Sequence, residues 1–168
     1  MKMRKSEEKQ KRLGWIRGLG NGLLAIVILC GLAMVVPGLF RIEMFNVVSG
    51  SMAPQIPVGS LIGVRYEAPE TLQPGDVIAF LHRDSVVTHR VVANEKQNHE
   101  LITKGDANAQ EDMEPVAYTD LIGKVRFHVP VLGALFGWFS QMEGKIFLIA
   151  LGTIGALLSM VPFGNNRN

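Results

Sequence analysis

Between Arg17 and Arg41 the chain carries 23 consecutive residues without a charge, Gly18 to Phe40. A helix of that length, at 1.5 Å per residue, reaches roughly 34 Å, enough to cross a hydrocarbon core of about 30 Å. Asn21 and Pro37 weaken such a helix, but Pro37 lies near its end, where a lost hydrogen bond costs less. A cleaved leader also pairs a basic start with an apolar run. This run exceeds the roughly 7 to 15 residues of a leader's apolar region, and no obvious small-x-small site follows it. The run therefore predicts a retained transmembrane helix over 18–40.

A second uncharged stretch, Ile146 to Phe163, has 18 residues, the lower limit for a span. Ahead of it, Val129 to Met142 is apolar and contains Pro130, Gly133, Gly137 and Trp138. Because Trp favours the membrane interface, 129–145 reads as an interfacial segment leading into the second helix, or else as a core loop of the central module. Residues 1–17 hold seven Lys/Arg against two Glu, so this basic segment is expected in the cytoplasm. Two spans, 18–40 and 146–163, then return the short tail 164–168 to the same side. The module between them, 41–128, is expected to face outward as part of a multi-pass protein of the cell membrane.

Composition agrees with this division. Of 168 residues, 48% are hydrophobic and 19% charged, against roughly 25% charged in a soluble domain. The single cysteine, Cys30, excludes an intrachain disulfide and a cysteine-rich zinc site. The basic excess is confined to the N-terminus, since 41–128 carries eight basic and twelve acidic residues. An acidic module is a poor footprint for nucleic acid, and no such partner is expected.

Within 41–128 the helical period disappears and short β-rich runs recur: Met44 to Val48, Leu61 to Tyr66, Asp76 to Leu81, Val86 to Ala93, Glu100 to Lys104 and Leu121 to Val129. Breakers separate them: Pro54, Pro57 and Gly59, then Pro69, Pro74 with Gly75, the turn His82 to Ser85, and Gly105. Closely spaced strands with no amphipathic helix among them predict a mostly β chain. Its centre is a compact antiparallel β-module flanked by two transmembrane helices.

Serine attacks only when a neighbouring base takes its proton. The stretch Val48-Ser49-Gly50-Ser51-Met52-Ala53-Pro54 ends a β-run and places Ser51 on a sharp turn, although Ser and Gly also fill ordinary turns. Four histidines are available as base. His82 lies in a hairpin turn, His99 in the polar run Glu95 to Glu100, and His128 at the mouth of the interfacial segment. His89 stands in a strand, alternating on one face with Val87, Val91 and Ala93, which shields an imidazole and holds it rigid. The same placement suits an inert core histidine. A carboxylate to orient the ring is offered by the loop Thr103 to Asp112, which carries Asp106, Glu111 and Asp112. Metal-ligand spacings and glycine-rich phosphate loops are absent from the sequence, so neither a metal nor a cofactor is expected.

Taken together, Val-Ser-Gly-Ser-Met-x-Pro at 48–54, Pro-Gly-Asp-Val-Ile at 74–78, Thr-His-Arg-Val at 88–91 and Lys-Gly-Asp-x-Asn at 104–108, behind an N-terminal span, resemble type I signal peptidases. The likeness covers about residues 20–133, with four motifs in the family's order. Where the commoner bacterial members carry a lysine base, this chain carries His89. That places it nearer the endoplasmic-reticulum, archaeal and sporulation-type branch, known for Ser-His chemistry. The resemblance implies Ser51 as nucleophile, His89 as general base, Asp112 as triad acid and Asp106 as a second required acid. It also implies Ser49 as an aid to the oxyanion hole beside the Ser51 N–H. Glu111-Asp112 stands where members more often have two aspartates.

The resemblance implies a membrane-bound serine endopeptidase whose partners are the lipid bilayer and signal-peptide-bearing preproteins, cut after small-x-small motifs. An accessory subunit is left open. Two other readings fit the same composition. One is a non-catalytic, membrane-anchored extracellular β-domain for binding or scaffolding; the other is a self-cleaving serine protease of related β-fold. Four ordered motifs argue against the scaffold, and two spans without a DNA-binding segment argue against the self-cleaving protease.

Overall fold

A computed structural model describes residues 2–161, with side chains from Gln10 onward. Phe163 and the tail 164–168 of the expected second span lie outside the described residues. The chain divides into two compact units, Met1–Val35 with Phe139–Asn168, and Val36–Trp138.

In the first unit, α1 is a single helix from Lys2 to Leu39, so the basic segment and the apolar run share one helix. The second helix of this unit, α3, spans Met142–Ser159. Gln10–Leu39 and Met142–Ser159 are each long and apolar enough to cross a membrane. Their backbones come close at two glycines: a Cβ on Gly20 would lie 2.6 Å from the Ser159 nitrogen, and one on Gly155 3.1 Å from the Gly20 carbonyl oxygen. Without side chains at these points the helices pack by direct backbone contact, the usual device where water is absent.

The second unit holds a seven-stranded antiparallel sheet: β1 (Ile42–Asn46), β2 (Leu61–Arg65), β3 (Val77–His82), β4 (Ser85–Glu95), β5 (Glu100–Lys104), β6 (Val116–Ala117) and β7 (Leu121–Val129). Their spatial order is β1-β2-β7-β3-β4-β5-β6. The two-residue β6 was not among the expected strands, being too short to show a period. The apolar run after β7 folds as a helix, α2 (Leu132–Ser140), which begins inside this unit with the Gly133 N–H donating to the Gly59 carbonyl at 2.9 Å.

Apolar residues pack on both faces of the sheet. On one face Leu72, Ile78, Phe80, Val91, Leu101, Val116 and Leu121 are buried together. On the other, Met52, Ile56, Ile62, Val64 and Ala79 form a second cluster. The alternation along β3, with Ile78 and Phe80 on one face and Ala79 on the other, connects the two. Directly opposed residues share a face, so His89 (opposite Ile78) and Val87 (opposite Phe80) face the first cluster, while Thr88 (opposite Ala79) faces the second.

One expected alternation fails. A bulge between Val91 and Ala93 sets Asn94, not Ala93, on the His89 face, because Val91 opposes Thr103 and Asn94 opposes Leu101. Asn94 there binds the Pro69 and Leu72 carbonyls at 2.8 and 2.9 Å and accepts from the Tyr118 hydroxyl.

The Pro-Gly-Asp turn is held by Asp76. One carboxylate oxygen accepts from the Gln73 N–H at 3.0 Å and the other pairs with Lys124 of β7 at 2.6 Å. Burial alone would raise this carboxyl, but the hydrogen bonds from Lys124 and Gln73, with the charges of Lys124 and Arg126, outweigh it and hold Asp76 below its ordinary value. A lowered folded value means that the ion pair stabilises the fold above the unfolded carboxyl's range and is lost as pH falls through the folded value. Asp76→Asn is therefore expected to lower stability by about 1 kcal/mol at neutral pH. In thermal unfolding of the two proteins, the gap should close below the ordinary carboxyl value of 3.8; a gap independent of pH would refute the role of the charge.

Candidate active site

The strand of His89, the turn of Ser51 and the loop of Asp112 come together at the edge of β4, although no hydrogen bond joins Ser51 to His89 among the described residues. β5 pairs with β4 only from Arg90 onward, so Ser85–His89 presents an open edge on that side. Into the neighbourhood of this edge come the turn after β1 and the loop after β5.

The turn carries Ser51. The strand expected over Met44 to Val48 ends earlier, at Asn46, and Val47 adds one more pair with Ser60 before the chain turns. Ser51 therefore lies five residues beyond the strand rather than at its end. Bonds from the Ala53 N–H to Gly50 and from the Ile56 N–H to Met52 close the turn, and Met52 drops into the second core. Ser51 stays partly exposed, with the Ser49 hydroxyl 3.4 Å from its own. That separation is long for a hydroxyl pair and leaves Ser51 Oγ weakly held.

The β5–β6 loop carries both acids, and the structure separates their surroundings. Asp112 accepts from two side chains at one oxygen: His89 Nδ1 at 2.5 Å and Thr103 Oγ1 at 2.6 Å. The Asp112 N–H also donates to the Thr103 carbonyl at 2.9 Å, which fixes the acid to the edge of β5. His89 is 8% exposed and Thr103 fully buried. The imidazole stands edge-on to Phe80, ring centroids 6.0 Å apart. Its other nitrogen, Nε2, has no protein partner among the described residues.

Asp106 does not reach His89. Both its oxygens are taken by Arg90, the residue after His89, through Nε at 2.8 Å and Nη2 at 2.6 Å. Arg90 Nη1 also donates to the Gly75 carbonyl at 2.7 Å. The hydrogen bonds and charge of Asp106 hold the guanidinium above its already high ordinary value, against the effect of burial. Asp106, expected as a second required acid, is thus engaged in a bidentate pair with Arg90 that ties the loop to β4.

The same loop touches the serine turn directly. The Ala107 N–H donates to the Ser51 carbonyl at 2.8 Å, and a Cβ on Gly105 would lie 2.7 Å from that oxygen. Gly105 is thus required by close approach of two backbones. One loop therefore contacts the serine turn, the strand of the histidine and the acid on the histidine ring.

Two cavities open on opposite faces of the β4 edge and share Val87. The smaller, about 130 Å³, is lined by Phe45, Val47, Ser49, Ser51, Met52 and Thr88 among others. The larger, about 300 Å³, is lined by Phe80, His82, Val87, His89, Asp112, Met113 and Glu114. Of the remaining histidines, His82 ends β3 beside the two-residue hairpin turn and lines the larger cavity, His99 is exposed and stacks edge-on against Tyr118, and His128 is exposed on β7. Sequence reasoning did not single out Thr103 or Arg90. Thr103 gives no local signal, because its role depends on pairing with Val91 and on the loop folding back.

The arrangement matches a recognised class of proteins. A family model described as peptidase S24-like covers residues 41–126, the β-module from β1 into β7. Among curated proteins, the chain is 44% identical over 85 residues to signal peptidase I W of Bacillus subtilis, an alignment covering 48% of this chain and 45% of that protein. It is 32% identical over 127 residues to the signal peptidase complex catalytic subunit SEC11 of Zygosaccharomyces rouxii, covering 67% of this chain and 75% of the relative. The SEC11 subunit of Lachancea thermotolerans is 30% identical over 128 residues, with 67% and 76% covered. The chain belongs to the peptidase S24-like family and, within it, to the type I signal peptidases.

Because Thr103 and His89 bind the same oxygen of Asp112, removing the hydroxyl leaves a half-buried carboxylate short of a donor. Thr103→Val should lower stability by about 1.5–3 kcal/mol, whereas Thr103→Ser should recover most of it. Thermal unfolding of both variants checks this; a Val variant as stable as the wild type would remove the hydroxyl–carboxylate bond as a stabilising contact.

Proposed function

We propose that this chain is a membrane-bound serine endopeptidase that removes N-terminal signal peptides from exported proteins by a Ser51–His89–Asp112 mechanism. The observation that carries the reading is the Asp112 carboxylate on His89 Nδ1, in a loop whose Ala107 N–H binds the Ser51 carbonyl. With Nδ1–H donated to Asp112, Nε2 is the basic nitrogen, and the half-buried acid stabilises the imidazolium that forms when it takes a proton. Neither Asp106 nor Ser49 accepts that proton. Asp106 positions the loop through Arg90, and the Ser49 hydroxyl assists the oxyanion beside the Ser51 N–H.

In this reading the substrate's cleavage region is extended and adds a strand at the open Ser85–Thr88 edge of β4. Residues one and three before the cut then face the smaller cavity, whose volume of about 130 Å³ suits small side chains. Ser51 Oγ attacks the carbonyl while His89 Nε2 takes its proton. The oxyanion is held by the Ser51 N–H and Ser49, one such donor contributing about 3 kcal/mol to the transition state. Collapse of the tetrahedral adduct breaks the peptide bond as the imidazolium protonates the leaving amine; water then attacks the acyl-serine with His89 again as base.

α1 and α3 are proposed to span the membrane, with the basic N-terminal segment in the cytoplasm and the β-module on the outer side. Confining enzyme and precursor to one bilayer raises their effective concentration.

The test is processing of a secretory precursor with a small-x-small site by the full chain reconstituted in liposomes. Ser51→Ala and His89→Ala should each lose at least about 10³-fold in rate, compared at equal amounts of folded protein; Ser51→Ala should keep the wild-type thermal unfolding, whereas His89→Ala, which takes one donor from Asp112, should unfold earlier. Processing that survives Ser51→Ala would overturn the nucleophile.

A further inference from the structure

The larger cavity, on the His89 face of β4, is not used by the mechanism above. We infer that it receives the side chain of the first residue of the mature protein, and that it favours a bulky apolar residue there and disfavours an acidic one. The inference rests on the proposed signal-peptide cleavage and deepens it.

Alternation along the strand places that residue. Along an extended strand successive side chains point to opposite faces. If residues one and three before the cut face the Ser51 cavity, the first residue after the cut faces the other side of β4, where Val87 and His89 point. This side is also the one on which the imidazole that protonates the leaving amine stands. The wall shared by the two cavities, Val87, then lies beneath the scissile bond.

The contrast in size and lining sets the preference. The leaving-side cavity, at about 300 Å³, is more than twice the volume of the one at Ser51. Its apolar walls are Phe80, which is 5% exposed, Val87 and the side chain of Met113, which is 98% exposed and free to close over an occupant. Two carboxylates line it. Asp112 is engaged with His89 and Thr103, whereas Glu114 is exposed and has neither an ion pair nor a hydrogen bond among the described residues. An unpaired carboxylate at the rim repels an acidic side chain and tolerates apolar or basic ones.

The experiment uses the full chain in liposomes and a set of precursors identical except at the first mature residue, which is Ala, Phe, Lys or Glu. A parallel set varies only the second residue before the cut, which alternation also places on the His89 face. The wild type should process the Phe precursor about tenfold faster in kcat/KM than the Ala precursor, and the Glu precursor about three- to fivefold slower than the Ala precursor. In Glu114→Gln the ratio of Ala to Glu should approach one, and in Glu114→Lys it should invert. Equal processing of all four precursors would overturn the inference while leaving the cleavage reading intact. So would discrimination confined to the second residue before the cut, or a Glu penalty unchanged in both Glu114 variants. Failure of the wild type to cut any precursor would remove the parent reading and this one with it.

Discussion

A single guanidinium holds the β-module's working parts together. Arg90 grips Asp106 with two parallel hydrogen bonds and reaches the Gly75 carbonyl with a third nitrogen. It thereby joins β4, the Pro-Gly-Asp turn and the β5–β6 loop at one point. Charge-assisted, bidentate pairing fixes direction as well as distance, which a lysine at the same position would not do. The loop so anchored runs past Ser51 and ends with Asp112 on the imidazole. Disrupting this pair would loosen the backbone contact at Ala107 and the orientation of Asp112 together.

The second constraint is the incomplete pairing of β4. β3 pairs with Ser85 to Arg90 and β5 with Arg90 to Glu95, so the strand changes partner at Arg90. Before that residue it has a partner on one side only, so its backbone edge, its inner face and its outer face are all available to a ligand. A site built at such an edge can treat alternate residues of an extended peptide differently, because each face offers a cavity of its own size and chemistry. The rigid alternation of β3, with Ile78 and Phe80 in one core and Ala79 in the other, keeps those faces distinct.

Much of this was legible along the chain because it rests on local patterns. The uncharged runs, the β-rich segments and the breakers between them depend on neighbouring residues only, and Ser51 and His89 stood out by turn chemistry and strand placement. β6 escaped notice because two residues carry no period. Ala93 was assigned the wrong face because the bulge near Val92 arises from cross-strand pairing, which adds a residue to one strand without marking the sequence. The acids were harder still: Asp106 and Asp112 sit six residues apart in one polar loop with no local signal to separate them; the family resemblance implies Asp112 as the triad acid, and the fold sets Asp112 on His89 and Asp106 on Arg90.

By itself the sequence determined the division into apolar helices and an antiparallel module, since hydrophobic runs and turn residues act over a few positions. It also determined the types of side chain available for chemistry. Tertiary structure alone decided which carboxylate meets the imidazole, that Thr103 shares its oxygen, and that the serine turn is bound to the same loop. These depend on loop closure between residues far apart in sequence, set by packing and a few directional hydrogen bonds. The physical reason is range: periodicity and propensity act between neighbours, whereas a site is a coincidence in space of segments that share no local signal.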